Sequence, residues 1–221
     1  MILAVDTSTR YVGIAIFDGS SILAEEIWLS ARYHTVELAQ AVADNFQRAD
    51  IKVDKLSALA VATGPGSFTG LRIGMAFIKG LAFSHQLPIV GIPTLDITAA
   101  AYPLKDKPLL AILKAGRGRL AVSWYNPGDA GWKAAGRVEN LSIEEFIDQL
   151  KGDTIITGEL NSQLREELAE RENLEIASPL LALRSPKYLA DLAWKRWKAG
   201  ESDNPVTLKP FYLHKDQPIP G

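Results

Sequence analysis

At 221 residues, with 47% hydrophobic and 23% charged side chains, the chain is long enough for one large domain or two small ones and has an ordinary globular composition. It contains no cysteine, which excludes disulfides, thiolate nucleophiles and Cys-based zinc sites. The net charge of −2, with Lys and Arg interleaved among Asp and Glu, argues against a protein that grips nucleic acid unaided through a basic face.

The elements follow in chain order. ILAV runs apolar from residue 2 and ends at Asp6, TSTR turns the chain, and YVGIAIF (11–17) and ILAEEIWL (22–29) read as the next two strands of a meander. HTVELAQAVADNFQR (34–48) has helical spacing, with Leu38, Val42 and Phe46 on one stripe. LSALAVAT (56–63) is a continuous apolar strand of the kind buried on both faces. A glycine turn, GPGSFTGLRIG (64–74), leads into a helix over 69–84, then strand LPIVGI (87–92) and a helix opening near Thr94. The order β-β-β-α-β-α-β-α calls for parallel pairing with right-handed crossovers.

YPLKDKP (102–108) is the expected joint between two units, 1–102 and 108–200, with 201–221 as a tail. In the second unit, LLAIL (109–113) and LAVSWY (120–125) read as a strand pair and WKAAGRVENL as further strand. Ser142 opens a helix with a capping box to Glu145, and DTIITG (153–158) is a strand ending on glycine. QLREELAEREN reads as a solvated helix, and a last helix starts at Ser185-Pro186 and stops at Gly200. Trp194 and Trp197 on it read as packing anchors. No run is long enough to span a bilayer, and a strand-like ILAV directly after Met1 leaves no room for a signal peptide, so a cytoplasmic setting is expected.

Two turns invite a functional reading. Gly64 and Gly66 fail the P-loop spacing and no lysine follows; Gly70 comes one residue late for a dinucleotide fingerprint; G-x-S-x-G is absent. What remains is a strand, a small-residue turn and a helix N-terminus at Ser67 to Thr69, a generic anion site. The competing reading is a tight turn that lets the helix pack closely on the sheet. Asp6, Thr7 and Ser8 form a second such turn, where a carboxylate beside hydroxyls could hold a magnesium-bound water or a phosphate, or simply turn the chain.

Taken together, ILAVDTSTRYVGIAIFDG resembles the first phosphate loop of the actin, sugar-kinase and heat-shock ATPase superfamily. MILAVDTST, GPGSFTGLRIG and the late PFYL resemble the TsaB family over nearly the whole chain, GPGSFTG-x-R-x-G being the most specific of the three. The resemblance implies an α/β fold: an actin-like, ribonuclease H-like N-terminal domain with a smaller, degenerate second α/β domain. It implies a non-catalytic subunit that pairs with the catalytic paralogue TsaD and with the ATPase TsaE. Their complex transfers a threonylcarbamoyl group from its adenylate to the tRNA adenosine beside the anticodon, and tRNA is met only indirectly. In this reading Asp6, Thr7, Ser8, Gly64, Gly66, Ser67, Thr69 and Gly70 form a vestigial or partner-completed phosphate loop. No catalytic residue is expected, no cofactor is required, and ATP or ADP binding is weak or partner-dependent. TsaD-like proteins carry a metal-binding His-x-x-x-His where this chain has Thr94 and Thr98, so no metal site is expected.

The interface is expected on two helices, through His34, Leu38 and Val42 on the first and Gly70, Leu71, Gly74, Met75 and Ile78 on the second. That surface is expected to give a homodimer alone and a heterodimer with TsaD. Relatives carry an Asp-Ala-Arg turn where this chain has Lys114-Ala115-Gly116, and a second glycine near Gly158 where Glu159 and Leu160 stand. The alternatives are a small ATP-binding phosphotransferase or ATPase using Asp6, and a peptidase acting on the partner through Ser67 and His34.

Overall fold

The computed structural model describes residues 1–30 and 34–213, and the side chains of 34–36 are outside that description, so the expected role of His34 lies outside the described residues. The first sheet is built from β1 (Ile2–Asp6), β2 (Tyr11–Phe17), β3 (Ile22–Leu29), β4 (Ala58–Ala62) and β5 (Ile89–Ile92), in the order β3-β2-β1-β4-β5. β2 runs antiparallel to β1 and β3; β4 and β5 run parallel to β1. Helix α1 (His34–Arg48) leads from β3 to β4 and α2 (Phe68–His85) from β4 to β5. This is the ribonuclease H-like arrangement of the actin-type domain, as the sequence order implies.

Alternation along β1 decides what each face meets. Leu3 and Val5 join Leu38, Val42, Phe46, Met75 and Ile78 of α1 and α2 in one core. Ile2 and Ala4 point the other way, into a layer paved with Ala15, Ala58, Ala60 and Ala62. That small-residue face is covered by α6 (Pro186–Lys198), through Leu189, Ala190 and Ala193. At Gly13 a Cβ would sit 3.2 Å from the Pro186 ring, a direct measure of how closely α6 approaches β2.

The second sheet holds β6 (Leu109–Gly116), β7 (Arg119–Gly128), β8 (Gly131–Ala134), β9 (Glu139–Leu141), β10 (Thr154–Gly158) and β11 (Leu174–Ile176). Its order is β11-β10-β6-β7-β8, with β9 also paired to β7. α4 (Ile143–Gln149) and α5 (Ser162–Ala169) cover one face through Phe146, Leu164 and Leu168. The capping box of α4 is formed as expected, with Ser142 accepting from the Glu145 amide and Glu145 accepting from the Ser142 amide. The other face packs on α3 (Thr94–Ala100), whose Leu95 and Ala99 meet Leu109, Ala111 and Leu113, while its Ile97 joins the core beneath the first sheet. α3 is thus the shared layer between the sheets. Asp96 on it accepts from the Tyr125 hydroxyl at 2.7 Å, and burial holds its carboxyl above the usual range against that hydrogen bond.

Two boundaries read from the sequence change. The last helix, placed with the second unit, packs on the first sheet, because its Leu189, Ala190 and Ala193 fit the alanine face. The segment after it is also bound. Asp203 donates its amide to Ile89 at 2.7 Å and accepts from Gly91 at 2.8 Å, Lys79 donates to the Leu208 carbonyl at 2.6 Å, and the Phe211 amide donates to Thr63 at 2.7 Å. Residues 201–213 therefore cover the outer edge of β5, which would otherwise present unpaired backbone groups.

The close α6 contact should make Leu189→Ala lose about 2–5 kcal/mol of stability, the range for a buried leucine whose cavity cannot collapse. Urea denaturation reads this directly; a loss below about 1 kcal/mol would mean that α6 is a loose cover.

Candidate functional site

The glycine turn meets the other small-residue turn of the same chain. The Ser67 amide donates to the Ser8 carbonyl at 2.6 Å, and the Thr7 hydroxyl donates to the Gly70 carbonyl at 2.7 Å. A Cβ at Gly66 would lie 2.1 Å from the Ser8 carbonyl oxygen, one at Gly70 2.1 Å from that of Thr7, and one at Gly74 2.2 Å from the Thr7 hydroxyl. None of these positions has room for a side chain. Gly64, at φ +107°, is tied to α3: its amide donates to the Thr94 hydroxyl at 3.1 Å and its carbonyl accepts from the Thr94 amide at 2.8 Å. The Thr98 hydroxyl in turn donates to the Thr94 carbonyl at 3.0 Å. The threonines at the expected ligand positions thus brace the turn, and among the described residues no group of three or more His, Asp or Glu could hold a metal.

Asp6 ends β1 with its side chain only 5% exposed, and its Oδ1 accepts from the Ser8 amide at 2.8 Å and from the Ser8 hydroxyl. Its Oδ2 accepts from Nε of Arg184 at 3.1 Å. The same guanidinium donates to the Thr9 hydroxyl at 2.7 Å and the Ser8 hydroxyl at 3.3 Å through Nη2, and to Glu159 at 3.4 Å through Nη1. Arg184 is itself 3% exposed in its side chain. It enters from the segment between the turn at Pro179–Ala182 and α6, and it reaches one carboxylate from each sheet. The place where a carboxylate at this strand end would face a magnesium ion or a phosphate is filled by a protein cation.

Sequence reasoning did not single out Arg184. Its signal was an arginine in LLALRSP, an apolar stretch ahead of a helix, which also reads as an ordinary surface charge. Asp6, Thr7, Ser8, Gly66 and Gly70 lie together; Ser67 serves as the N-cap of α2, accepting from the Gly70 amide at 3.2 Å, and Thr69 is exposed on the first turn. His85, the histidine whose side chain is described, lies at the far end of α2 from Ser67, about 27 Å along a helix of 18 residues.

The expected interface residues are corrected by burial. Leu38, Val42, Leu71, Met75 and Ile78 are buried within the chain, Leu71 and Ile78 fully, and Gly70 and Gly74 accommodate Thr7 rather than a second helix. α2 is apolar round most of its circumference, and the sheet takes the side that carries these residues. The side turned outward carries Phe68, Arg72, Ala76 and Phe83, the last 90% exposed. Between α1 and α2 this face opens into a groove of about 420 Å³ lined by Leu38, Phe68, Ile73, Ala76 and Phe77. At its mouth Arg72 stacks over Phe68 at 3.6 Å and donates to the Tyr212 hydroxyl at 3.1 Å.

With this geometry in view, comparison with known proteins places the chain. The family model described as TsaD, tRNA N6-adenosine threonylcarbamoyltransferase, matches residues 28–156, more than half of the chain. A tRNA threonylcarbamoyladenosine biosynthesis protein TsaB from Bacillus subtilis is 32% identical over 68% of this chain and 66% of its own length. Its Escherichia coli namesake is 27% identical over 100% of this chain and 98% of its own. The structure of YeaZ from Pseudomonas aeruginosa superposes with a TM-score of 0.81 at 26% identity, over 96% of this chain and 99% of that one. The fold is of the TsaD type, and the chain belongs to the TsaB family.

Two stability tests follow from the site. Arg184→Ala leaves Asp6 buried without its cation and should lose about 3–5 kcal/mol, whereas Arg184→Met with Asp6→Asn should lose clearly less than the sum of the single changes. Additive losses in urea denaturation would mean that the pair is not coupled. Gly70→Ala should destabilise by roughly 1–3 kcal/mol or more through its clash with Thr7, while Gly80→Ala, with nothing within 4 Å of its Cβ, should be neutral or stabilising. Equal melting temperatures for the two variants would contradict the close approach.

Proposed function

We propose that this chain is a non-catalytic subunit of the assembly that installs threonylcarbamoyl groups on tRNA adenosine, and that it acts by docking a TsaD-type catalytic paralogue. The observation that carries the non-catalytic reading is Arg184. With its guanidinium held by Asp6, Ser8, Thr9 and Glu159, the site has a satisfied internal ion pair where a nucleotide-hydrolysing relative needs an open carboxylate. A metal-nucleotide would have to expel a buried, four-fold hydrogen-bonded arginine, which costs several kcal/mol before any binding is gained. Ser67 is taken up as the N-cap of α2, which argues against its use as a peptidase nucleophile.

Docking falls to the outward face of α2 and the groove beside α1. An exposed Phe83, a half-exposed Phe68 and the groove between the helices put apolar surface along one face of α2, which is the character of an association surface. Two helices presented side by side suit a partner that offers two helices of the same fold, as a paralogue does. Alone, the chain pairs through the same face with a second copy, and a TsaE-type ATPase is a further member of the assembly.

Size-exclusion chromatography with light scattering tests this. The chain should co-elute with a TsaD-type partner, and Phe83→Glu or Ala76→Glu should weaken that association at least tenfold while leaving the melting temperature within a few degrees. Retention of full affinity by both variants, or ATP turnover by the isolated wild-type chain, would overturn the proposal.

A further inference from the structure

We infer that the rim of the Arg184 site is a direct contact for the sugar–phosphate backbone of RNA, carried by Arg10, Lys114 and Arg117. The inference rests on the tRNA-modification reading above and names the ligand chemistry of one surface within it. Three segments are linked to the buried guanidinium, one directly and two through Ser8 and Glu159. The turn at 7–10 supplies the Thr9 hydroxyl that Arg184 contacts, and Arg10 follows it, exposed. The glycine turn lies on the Ser8 carbonyl and leads into α2, whose first turn carries no acidic residue. The β6–β7 hairpin is joined to the site by the Lys114 amide, which donates to Glu159 at 3.1 Å, the same carboxylate that meets Arg184.

The charges on this rim are unbalanced. The side chains of Arg10, Lys114 and Arg117 are exposed and make no ion pair or hydrogen bond among the described residues. Of the acids around them, Glu145 is paired with Arg119, Asp6 and Glu159 share the one Arg184, and Glu25 accepts from the Ser185 hydroxyl and the Lys187 amide and keeps its charge, so the free cations outnumber the negative charges left over. Arg117 sits at φ +50° between Gly116 at +77° and Gly118 at +73°, so the hairpin tip turns through three left-handed residues and ends in a free guanidinium. Three unpaired cations beside a helix N-terminus that lacks its usual acidic residues make a field for an anion. The anion must lie across the rim rather than enter between the sheets, since Arg184 occupies the space within. An extended chain of phosphodiesters meets all three cations at once, whereas the phosphates of a mononucleotide would need the inner position. This is a small direct contribution to RNA binding, and it accords with a chain of net charge −2 whose partner carries the rest.

The test uses the reconstituted complex of this chain with its TsaD-type partner and an unmodified tRNA transcript, with affinity followed by fluorescence anisotropy over a salt series. Arg10→Glu/Lys114→Glu/Arg117→Glu should raise the dissociation constant at least tenfold at low salt and lower the slope of log affinity against log salt by about 2, close to 0.7–0.9 per lost phosphate contact. Co-elution with the partner should be unchanged, which separates this surface from the docking face. Should the reversed chain fail to fold, the triple glutamine variant carries the same expectation with a smaller change in affinity. An assembled complex with unaltered affinity and slope overturns the inference but not the proposed function; a wild-type complex that binds no RNA sinks both. If the reversal instead abolishes ADP binding by the isolated chain and leaves RNA affinity untouched, the rim is a mononucleotide site and the inference falls.

Discussion

The buried ion pair between Arg184 and Asp6 is the interaction on which the rest of the architecture turns. The two residues are 178 positions apart, one at the end of the first strand and the other just ahead of the last helix. The guanidinium fixes the turn at 7–9 through Ser8 and Thr9, and that turn supports Gly66, Gly70 and Gly74 at the start of α2. It also reaches Glu159 at the end of β10, so the two sheets are held at one point by a single side chain. A buried charge pair is poor evidence for net stability, since apolar replacements often do as well. Its contribution is geometric. With three hydrogen bonds on the turn at 6–9 and a fourth on Glu159, the guanidinium admits one arrangement of three chain segments, its own included.

Much of the fold could be read from the sequence because its signals are local. The meander, the α1 spacing over 34–48, the strand read at 56–63 and the capped start at Ser142 all follow from periodicity and turn chemistry within a dozen residues. The destination of α6 could not be read in that way. An amphipathic helix following a strand-rich segment fits its own neighbourhood, and nothing in its pattern says that the better surface is an alanine face built mostly before residue 63. α2 posed a subtler difficulty. Its near-continuous apolar surface required cover on two sides, but Gly70 and Gly74 gave no sign that they faced Thr7 rather than a partner.

At the site, residue types identified the loops but not their occupant. Small residues that admit a phosphate also admit a neighbouring backbone, and the spacing of GPGSFTG is compatible with both. The structure separates the two through distances near 2 Å from hypothetical Cβ atoms to carbonyl oxygens, which fix the turn as a packing surface. Arg184 was invisible for a related reason: a charge inside an apolar stretch is ordinarily solvated, and only a pairing across the whole chain gives it another role.

The route of the chain has a consequence for how the protein comes into being on the ribosome. The first sheet is finished at Ile92, yet its alanine face has only Ile97 of α3 against it until Pro186–Lys198 emerges, after the whole second sheet has been made. At about 5–20 residues per second, that interval of nearly a hundred residues lasts roughly 5–19 s. For that time the nascent first half carries an apolar surface of Ile2, Ala4, Ala15, Ala58 and Ala60 that α3 covers only in part. Small side chains make such a surface less adhesive than leucine or phenylalanine would, because each offers little area. The alanines that let α6 lie close in the finished molecule therefore also moderate the hazard of waiting for it.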